Sequence, residues 1–313
     1  AVDEVDAADA SPTVVAALSD DLNTAGAVAE LHKLFGAGDY GTLKASAALM
    51  GLLGKELGQW AKQVQVDLVK NQVPLSVLQS MPLYARNAYS LREALYHSTS
   101  GLITEHKRRS PSKNHIRTDH HIQEVAQGYQ SGGACGMSVL TEVGYFGGAP
   151  EDLIIARASC TLPLLRKDFM VDPYQVHEAK AWGADVILLI AAALDPKSID
   201  VLRGLAHELG LEVLLEVHDL AELNRSLTPN IDMVGVNNRN LKTFEVSTQV
   251  SIDLARHIPD HLVKISESGL TDAQEISALR AEGYRGFLVG EHLMKSDNPG
   301  EATRLMIEEI TRI

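Results

Sequence analysis

From Leu102 to Val289 the chain keeps a beat. Short apolar runs recur at Leu102–Glu105, Cys135–Leu140, Leu162–Arg166, Asp185–Ile190, Glu212–Glu216, Met233–Val236, Leu262–Ile265 and Gly286–Val289, and each predicts a strand. Helical patterns with clear punctuation lie between them. Asp172-Pro173 and Asp195-Pro196 read as N-cap and first-turn pairs, Thr271-Asp272-Ala273-Gln274 as a capping box, and Gly183, Gly210 and Gly283 as helix stops. Runs that are apolar on both faces belong to a parallel sheet covered by helices. Eight such units in about 215 residues predict an α/β fold, a (β/α)8 TIM barrel. The competing doubly wound sheet more often carries a glycine-rich phosphate fingerprint after its first strand, and none is present.

Composition narrows the function. A net charge of -13 over 313 residues argues against a nucleic-acid partner, which needs clustered positive charge. The nearest basic patch, Lys107 to Lys113, is too short to bind a duplex. Aromatic residues make up 5% of the chain, so the core should be aliphatic. Cys135 and Cys160 have no metal-like spacing and read as incidental thiols. No apolar run is long enough for a membrane span, and the acidic N-terminus lacks a signal-peptide pattern, so a cytoplasmic protein is expected.

Before the barrel the pattern is helical. Ser11-Pro12 starts one predicted helix, Val28, Leu31, Leu34 and Phe35 mark a second, and Leu43 to Leu53 a third. The expected domains are a small helical module over 1–63, forming an N-terminal extension, and the barrel over 64–313. Ala17-Leu18-Ser19-Asp20-Asp21-Leu22-Asn23-Thr24, with Val28-Ala29-Glu30-Leu31 and Leu49-Met50-Gly51-Leu52-Leu53-Gly54, resembles the helical domain of cysteinyl-tRNA synthetases. The synthetase signatures themselves are missing. From Val64 to Tyr96, short helices and turns are expected to cover the bottom or one flank of the barrel.

In a (β/α)8 barrel, chemistry gathers at the carboxyl ends of the strands. Seven of the eight predicted ends carry ionisable or amide groups: Glu105/Lys107, Thr141-Glu142, Arg166-Lys167-Asp168, Glu216-Val217-His218, Asn237-Asn238-Arg239, Glu267-Ser268 and Gly290-Glu291. One charged end is a solvated rim; seven converging on one cavity are costly unless used. Helices starting at Ser268-Gly269 and Gly290-Glu291 would aim N–H groups at an anion, with the Glu291 side chain turned away.

These motifs are also similar to a known family. Glu105-His106-Lys107-Arg108-Arg109-Ser110-Pro111-Ser112-Lys113, Ser138-Val139-Leu140-Thr141-Glu142, Tyr145-Phe146-Gly147-Gly148, Leu165-Arg166-Lys167-Asp168-Phe169, Leu215-Glu216-Val217-His218, Gly235-Val236-Asn237-Asn238-Arg239 and Ser266-Glu267-Ser268-Gly269 resemble indole-3-glycerol-phosphate synthase. The resemblance implies a tryptophan-pathway lyase that acts on a sugar-phosphate substrate without metal or organic cofactor. Other enzymes of that pathway are conceivable partners. It implies Lys167 as general acid, with its pKa lowered by neighbouring Lys107, and Lys107 as the substrate-carboxylate site. Glu216 becomes the base or partner acid of the dehydration, with Glu105 orienting Lys107. Asn237 would hold a hydroxyl, Arg239 would buttress the carboxylates and Glu267 would meet sugar hydroxyls. Ser110, Ser268, Gly269, Gly290 and Glu291 would frame the phosphate, and Leu140, Phe146 and Leu188 would wall the aromatic ring.

One departure is Asn114, where the family pattern has glycine just past the Ser-Pro-Ser turn. Two other readings compete. A phosphoribosyl isomerase barrel would work with Cys/Asp or paired Asp groups rather than lysines. A tRNA-associated module on an inert barrel would leave Glu105, Lys107, Lys167, Glu216 and Asn237 without a purpose. His115, His120 and His121 cluster in the first loop, but adjacent side chains diverge and no third ligand is evident, so no metal site is expected.

Overall fold

The computed structural model describes residues 10–19, 30, 33–34, 37–39, 42, 46, 56–109, 116–117, 119–144, 146–240 and 243–313. The chain forms two compact units, Ala1–Gln72 and Val73–Ile313. In the first, Pro12 opens the helix Pro12–Ser19 as expected, and a second helix runs over Glu56–Gln72. That helix passes through residue 64, so the expected boundary at 63/64 falls inside a continuous element. Of the helices expected over 28–35 and 43–53, residues 30, 33, 34 and 46 are described and are helical, and the rest lie outside the described residues.

The second unit is a closed parallel barrel in sequential strand order. Its strands are β1 Leu102–His106, β2 Gly136–Leu140, β3 Leu164–Lys167, β4 Val186–Ile190, β5 Glu212–Val217, β6 Met233–Asn237, β7 Val263–Glu267 and β8 Tyr284–Val289. All eight expected strands form, several ending one or two residues later than the apolar runs do. The reason is physical: Lys167, Asn237 and Glu267 stay in the ladder because neighbours pair with them at Leu140, Glu267 and Leu288.

Strand alternation sorts the side chains into two cores. Leu102, Val139, Leu164, Val213, Val234 and Phe287 pack outward with the surrounding helices. Ile103, Leu165, Leu188, Leu214, Ile265 and Leu288 fill the barrel interior. Leu91 and Leu95 join this inner cluster from the helix Leu91–His97, which therefore plugs the barrel floor. A buried carboxylate fixes that plug: Glu212, at the start of β5, accepts from the backbone N–H groups of Leu91 (2.8 Å) and Arg92 (3.1 Å) and from the Ser90 hydroxyl. Asp185 does similar work before β4. It accepts from Tyr89 N–H at 2.7 Å and Leu164 N–H at 2.8 Å, and pairs with Arg157 at 2.9 Å. Of the two places expected for this segment, bottom or flank, the helix Leu91–His97 takes the bottom.

The helix punctuation is mostly as expected. Asp172 and Asp195 cap their helices, and Gly183, Gly210 and Gly283 adopt left-handed backbone at φ 90°, 71° and 90°. The expected capping box is shifted by one residue: Asp272 is the cap, accepting from Gln274 and Glu275 N–H.

On the outward face of β1, His106 is buried and its Nε2 has no hydrogen-bond partner among the described residues. Burial, followed by the neighbouring Arg108 charge, pushes its pKa from 6.5 down to about 4 against the pull of Asp152 and Glu105. The unfolded chain therefore binds a proton here before the folded chain does, and stability falls as pH drops from about 6.5 towards about 4. Replacing His106 with Leu should shrink the loss of unfolding free energy between about pH 7.5 and about pH 5 by about 2 kcal/mol. Denaturant titrations at the two pH values read this directly, and an unchanged difference contradicts it.

Candidate active site

On four of the barrel strands, β1, β3, β5 and β7, the inward face climbs from apolar to charged. Ile103 leads to Glu105, Leu165 to Lys167, Leu214 to Glu216 and Ile265 to Glu267, always two residues on. The apolar member anchors the strand inside, and the charged member above it emerges at the carboxyl-end mouth.

There the four strands meet at Lys167. Its Nζ lies 2.5 Å from Glu267 Oε2, 3.6 Å from Glu105 Oε2 and 3.7 Å from Glu216 Oε2. Lys107 Nζ takes the other side of Glu105, 2.8 Å from Oε1. Ser138 supports the same carboxylate, its hydroxyl 3.3 Å from Oε2. Asn237 accepts from the Arg239 N–H at 3.0 Å, which fixes its amide at the end of β6.

The electrostatics differ from expectation. Lys167 was expected to have its pKa lowered by Lys107. Burial does favour the neutral amine, but Glu267, Glu105 and Glu216 outweigh it and hold Lys167 above its ordinary value of 10.5. The two ammonium groups share Glu105 between them, so attraction to carboxylates governs both. Burial is also the largest influence on Glu105, yet Lys107 and Lys167 hold that carboxyl below its usual range. Glu267 goes the other way: burial, aided by Glu216 and Glu105 and opposed by Lys167, pushes it up to about 7. Its Oε1 has no hydrogen-bond partner among the described residues.

The remaining candidates are spread around this centre. Leu140 is buried at the end of β2, and half-buried Phe146 donates its N–H to Glu142 Oε2 at 3.1 Å. Leu188 lies in the inner core, between the floor and the charged layer. Arg239 begins an irregular segment bridged to Val246. Ser110, with Asn114, His115 and Tyr145, lies outside the described residues.

The anion-facing helix expected at Ser268-Gly269 does not form there. Ser268 and Gly269 turn through left-handed backbone at φ 70° and 79°, and the next helix starts only at Ala273. After β8 a short helix, Glu291–Met294, does begin behind Gly290. Glu291 turns aside to Lys295, 2.7 Å away.

One glycine and one serine, Gly235 and Ser138, belong to the site but were missed, and Gly290, expected only at the phosphate, also packs on a site carboxylate. A Cβ at Gly235 would run into Glu267 Oε1, and one at Gly290 would stand 2.6 Å from Glu105 Oε1. Gly235 and Ser138 fall on the inward alternation of strands that also carry site residues, which is the signal that would have found them.

An eight-stranded parallel barrel with lysines and glutamates converging at its carboxyl-end mouth defines a (β/α)8 enzyme. Solved structures show the same fold alone. Thiamine phosphate pyrophosphorylase from Pyrococcus furiosus superposes with a TM-score of 0.52 at 16% identity, covering 71% of this chain and 99% of that one. KGPDC from Streptococcus mutans gives 0.51 at 15% identity, covering 68% and 97%. Sequence is more specific. The family model for indole-3-glycerol phosphate synthase matches residues 57–306. A protein of Bacteroides thetaiotaomicron named indole-3-glycerol phosphate synthase is 43% identical over 249 residues, covering 80% of this chain and 95% of that protein. The chain belongs to the indole-3-glycerol phosphate synthase family.

Gly290 has φ -121°, so an alanine there is not strained by its backbone. Its methyl would instead press on Glu105, whose Oε1 would lie 2.6 Å away. Gly290→Ala should therefore lower kcat about tenfold or more by displacing Glu105 from Lys107, with little change in the melting temperature. Parent-like turnover in this variant contradicts the close packing.

Proposed function

We propose that this chain closes the indole ring in tryptophan biosynthesis, acting as a carboxy-lyase. The substrate is 1-(2-carboxyphenylamino)-1-deoxyribulose 5-phosphate, and the products are indole-3-glycerol phosphate, carbon dioxide and water. The observation that carries the reading is the meeting of Lys167 with Glu105, Glu216 and Glu267, within 3.7 Å, beside Lys107. Family membership supports the same conclusion.

The residues fit the chemistry. The aromatic carbon bearing the carboxylate attacks the ribulose carbonyl carbon, and that carbonyl oxygen gains a proton. Lys167 is the donor, kept fully protonated at neutral pH by its three carboxylates. Lys107, on the Glu105 side, receives the substrate carboxylate and stabilises negative charge until the carbon–carboxylate bond breaks and carbon dioxide leaves. The electron pair of that bond restores the aromatic ring. The former carbonyl oxygen, now a hydroxyl, takes a second proton from Lys167, reprotonated through Glu267, and departs as water while Glu216 takes the proton lost from the adjoining carbon. Glu267, at about 7, exchanges protons beside Lys167 at working pH. Asn237 and Arg239 hold the sugar hydroxyls and the carboxylates. The Ser268-Gly269 turn, Ser110 and Gly290 receive the phosphate, while Leu140, Phe146 and Leu188 face the ring. The segment before the family match supplies none of the residues assigned here.

Lys167→Ala and Glu216→Gln should each lower kcat by about 10²- to 10⁴-fold, since each removes a proton-transfer group. Fluorescence of the indole product follows the rate. Near-normal kcat in either variant removes that residue from its role.

A further inference from the structure

Glu216 meets Lys167 through one oxygen, Oε2, and its other oxygen faces a second basic group. His218 Nε2 lies 3.4 Å from Glu216 Oε1. His218 is two residues beyond Glu216, so alternation carries both to the same side of the chain. Its ring is held from behind: Nδ1 lies 3.1 Å from Glu222 Oε2, and the His218 N–H donates to the same oxygen at 2.8 Å. Glu222 is fixed in turn. It stands in the first turn of the helix Leu220–Ser226, and its N–H donates to the cap residue Asp219 at 2.8 Å. With Nδ1 engaged by a carboxylate, Nε2 is aimed at Glu216 and has no hydrogen-bond partner among the described residues, although its side chain is only 10% exposed.

The charge count gives this geometry a purpose. Glu105, Glu216 and Glu267 contact Lys107 and Lys167, and a fourth carboxylate, Glu222, stands behind His218, so these acids outnumber the lysines by two in a largely buried mouth. An imidazolium at His218 reduces the excess to one. Glu267, pushed up to about 7, takes part of the remainder as a bound proton. Burial alone would keep His218 neutral, but the Glu222 hydrogen bond and the charges of Glu216, Glu222 and Glu267 raise its pKa above 6.5. These are the titratable groups that face the ring, from β5, the helix after it and β7, with Lys167 of β3 reached through Glu216.

We infer that His218, held by Glu222, is a positioning residue for Glu216, facing the carboxylate oxygen that Lys167 does not touch. The inference deepens the proposed ring-closing reaction and rests on it for its kinetic consequence, but the contact itself can be read without turnover.

In the full chain, NMR titration of the His218 ring should give a pKa above 6.5, falling in Glu216→Gln when the facing charge is removed. An identical titration in both chains overturns the inference, whatever the substrate. In turnover of the carboxyphenylamino sugar phosphate, His218→Phe should lower kcat about tenfold and leave KM within about twofold. His218→Gln keeps an N–H donor and should recover most of the lost kcat, and it decides the matter where the phenylalanine variant does not fold. Parent-like kcat in His218→Phe, no recovery in His218→Gln, or a change in KM alone overturns the inference. A parent chain that fails to turn over this substrate sinks the ring-closing reading and leaves the titration result standing.

Discussion

The mouth of this barrel depends on one ammonium group surrounded by carboxylates. Lys167 lies within ion-pair distance of glutamates from three other strands, β1, β5 and β7. Each of those carboxylates is buried, and a buried carboxylate without a partner is expensive. The lysine makes three such burials tolerable together, and Lys107 relieves Glu105 further. The consequence is chemical as well as structural. A cation so held stays protonated, while Glu267, the carboxyl facing most of the surplus charge, becomes the group that titrates near neutrality.

The same alternation that builds the barrel delivers these groups. On four strands an inward aliphatic residue is followed, two positions on, by an inward ionisable one, so the packed interior rises directly into the reactive layer. The floor closes independently, through Leu91 and Leu95 above the Glu212 cap. Rigid packing below and charge above place the reacting groups on strands rather than loops, where positions are held most tightly.

Much of this was legible in the residues. The eightfold apolar beat predicts every strand, and the residue types at the strand ends identify Lys107, Lys167, Glu105, Glu216 and Glu267 as one cluster. What escaped was what depends on neighbours across the sheet. Periodicity says which face Lys167 occupies but not that its nearest partners are acids, so the expected direction of its pKa shift was reversed. Ser268 and Gly269 read as a helix start, yet the chain needed left-handed turns there first. Gly235 carries no chemistry of its own, and the close packing of Gly290 is equally silent in the residues; each leaves space for a carboxylate, Glu267 and Glu105 respectively. His218 reads only as one more ionisable group at the end of β5 until Glu222 and Glu216 are seen beside its two ring nitrogens.

The central claim is that attraction to carboxylates, not repulsion from Lys107, sets the state of Lys167. NMR titration of the Lys167 ammonium in the full-length chain tests it most directly. The account predicts that Lys167 remains protonated throughout the neutral range and titrates above its ordinary value of 10.5. A Lys167 that loses its proton well below that value would contradict it.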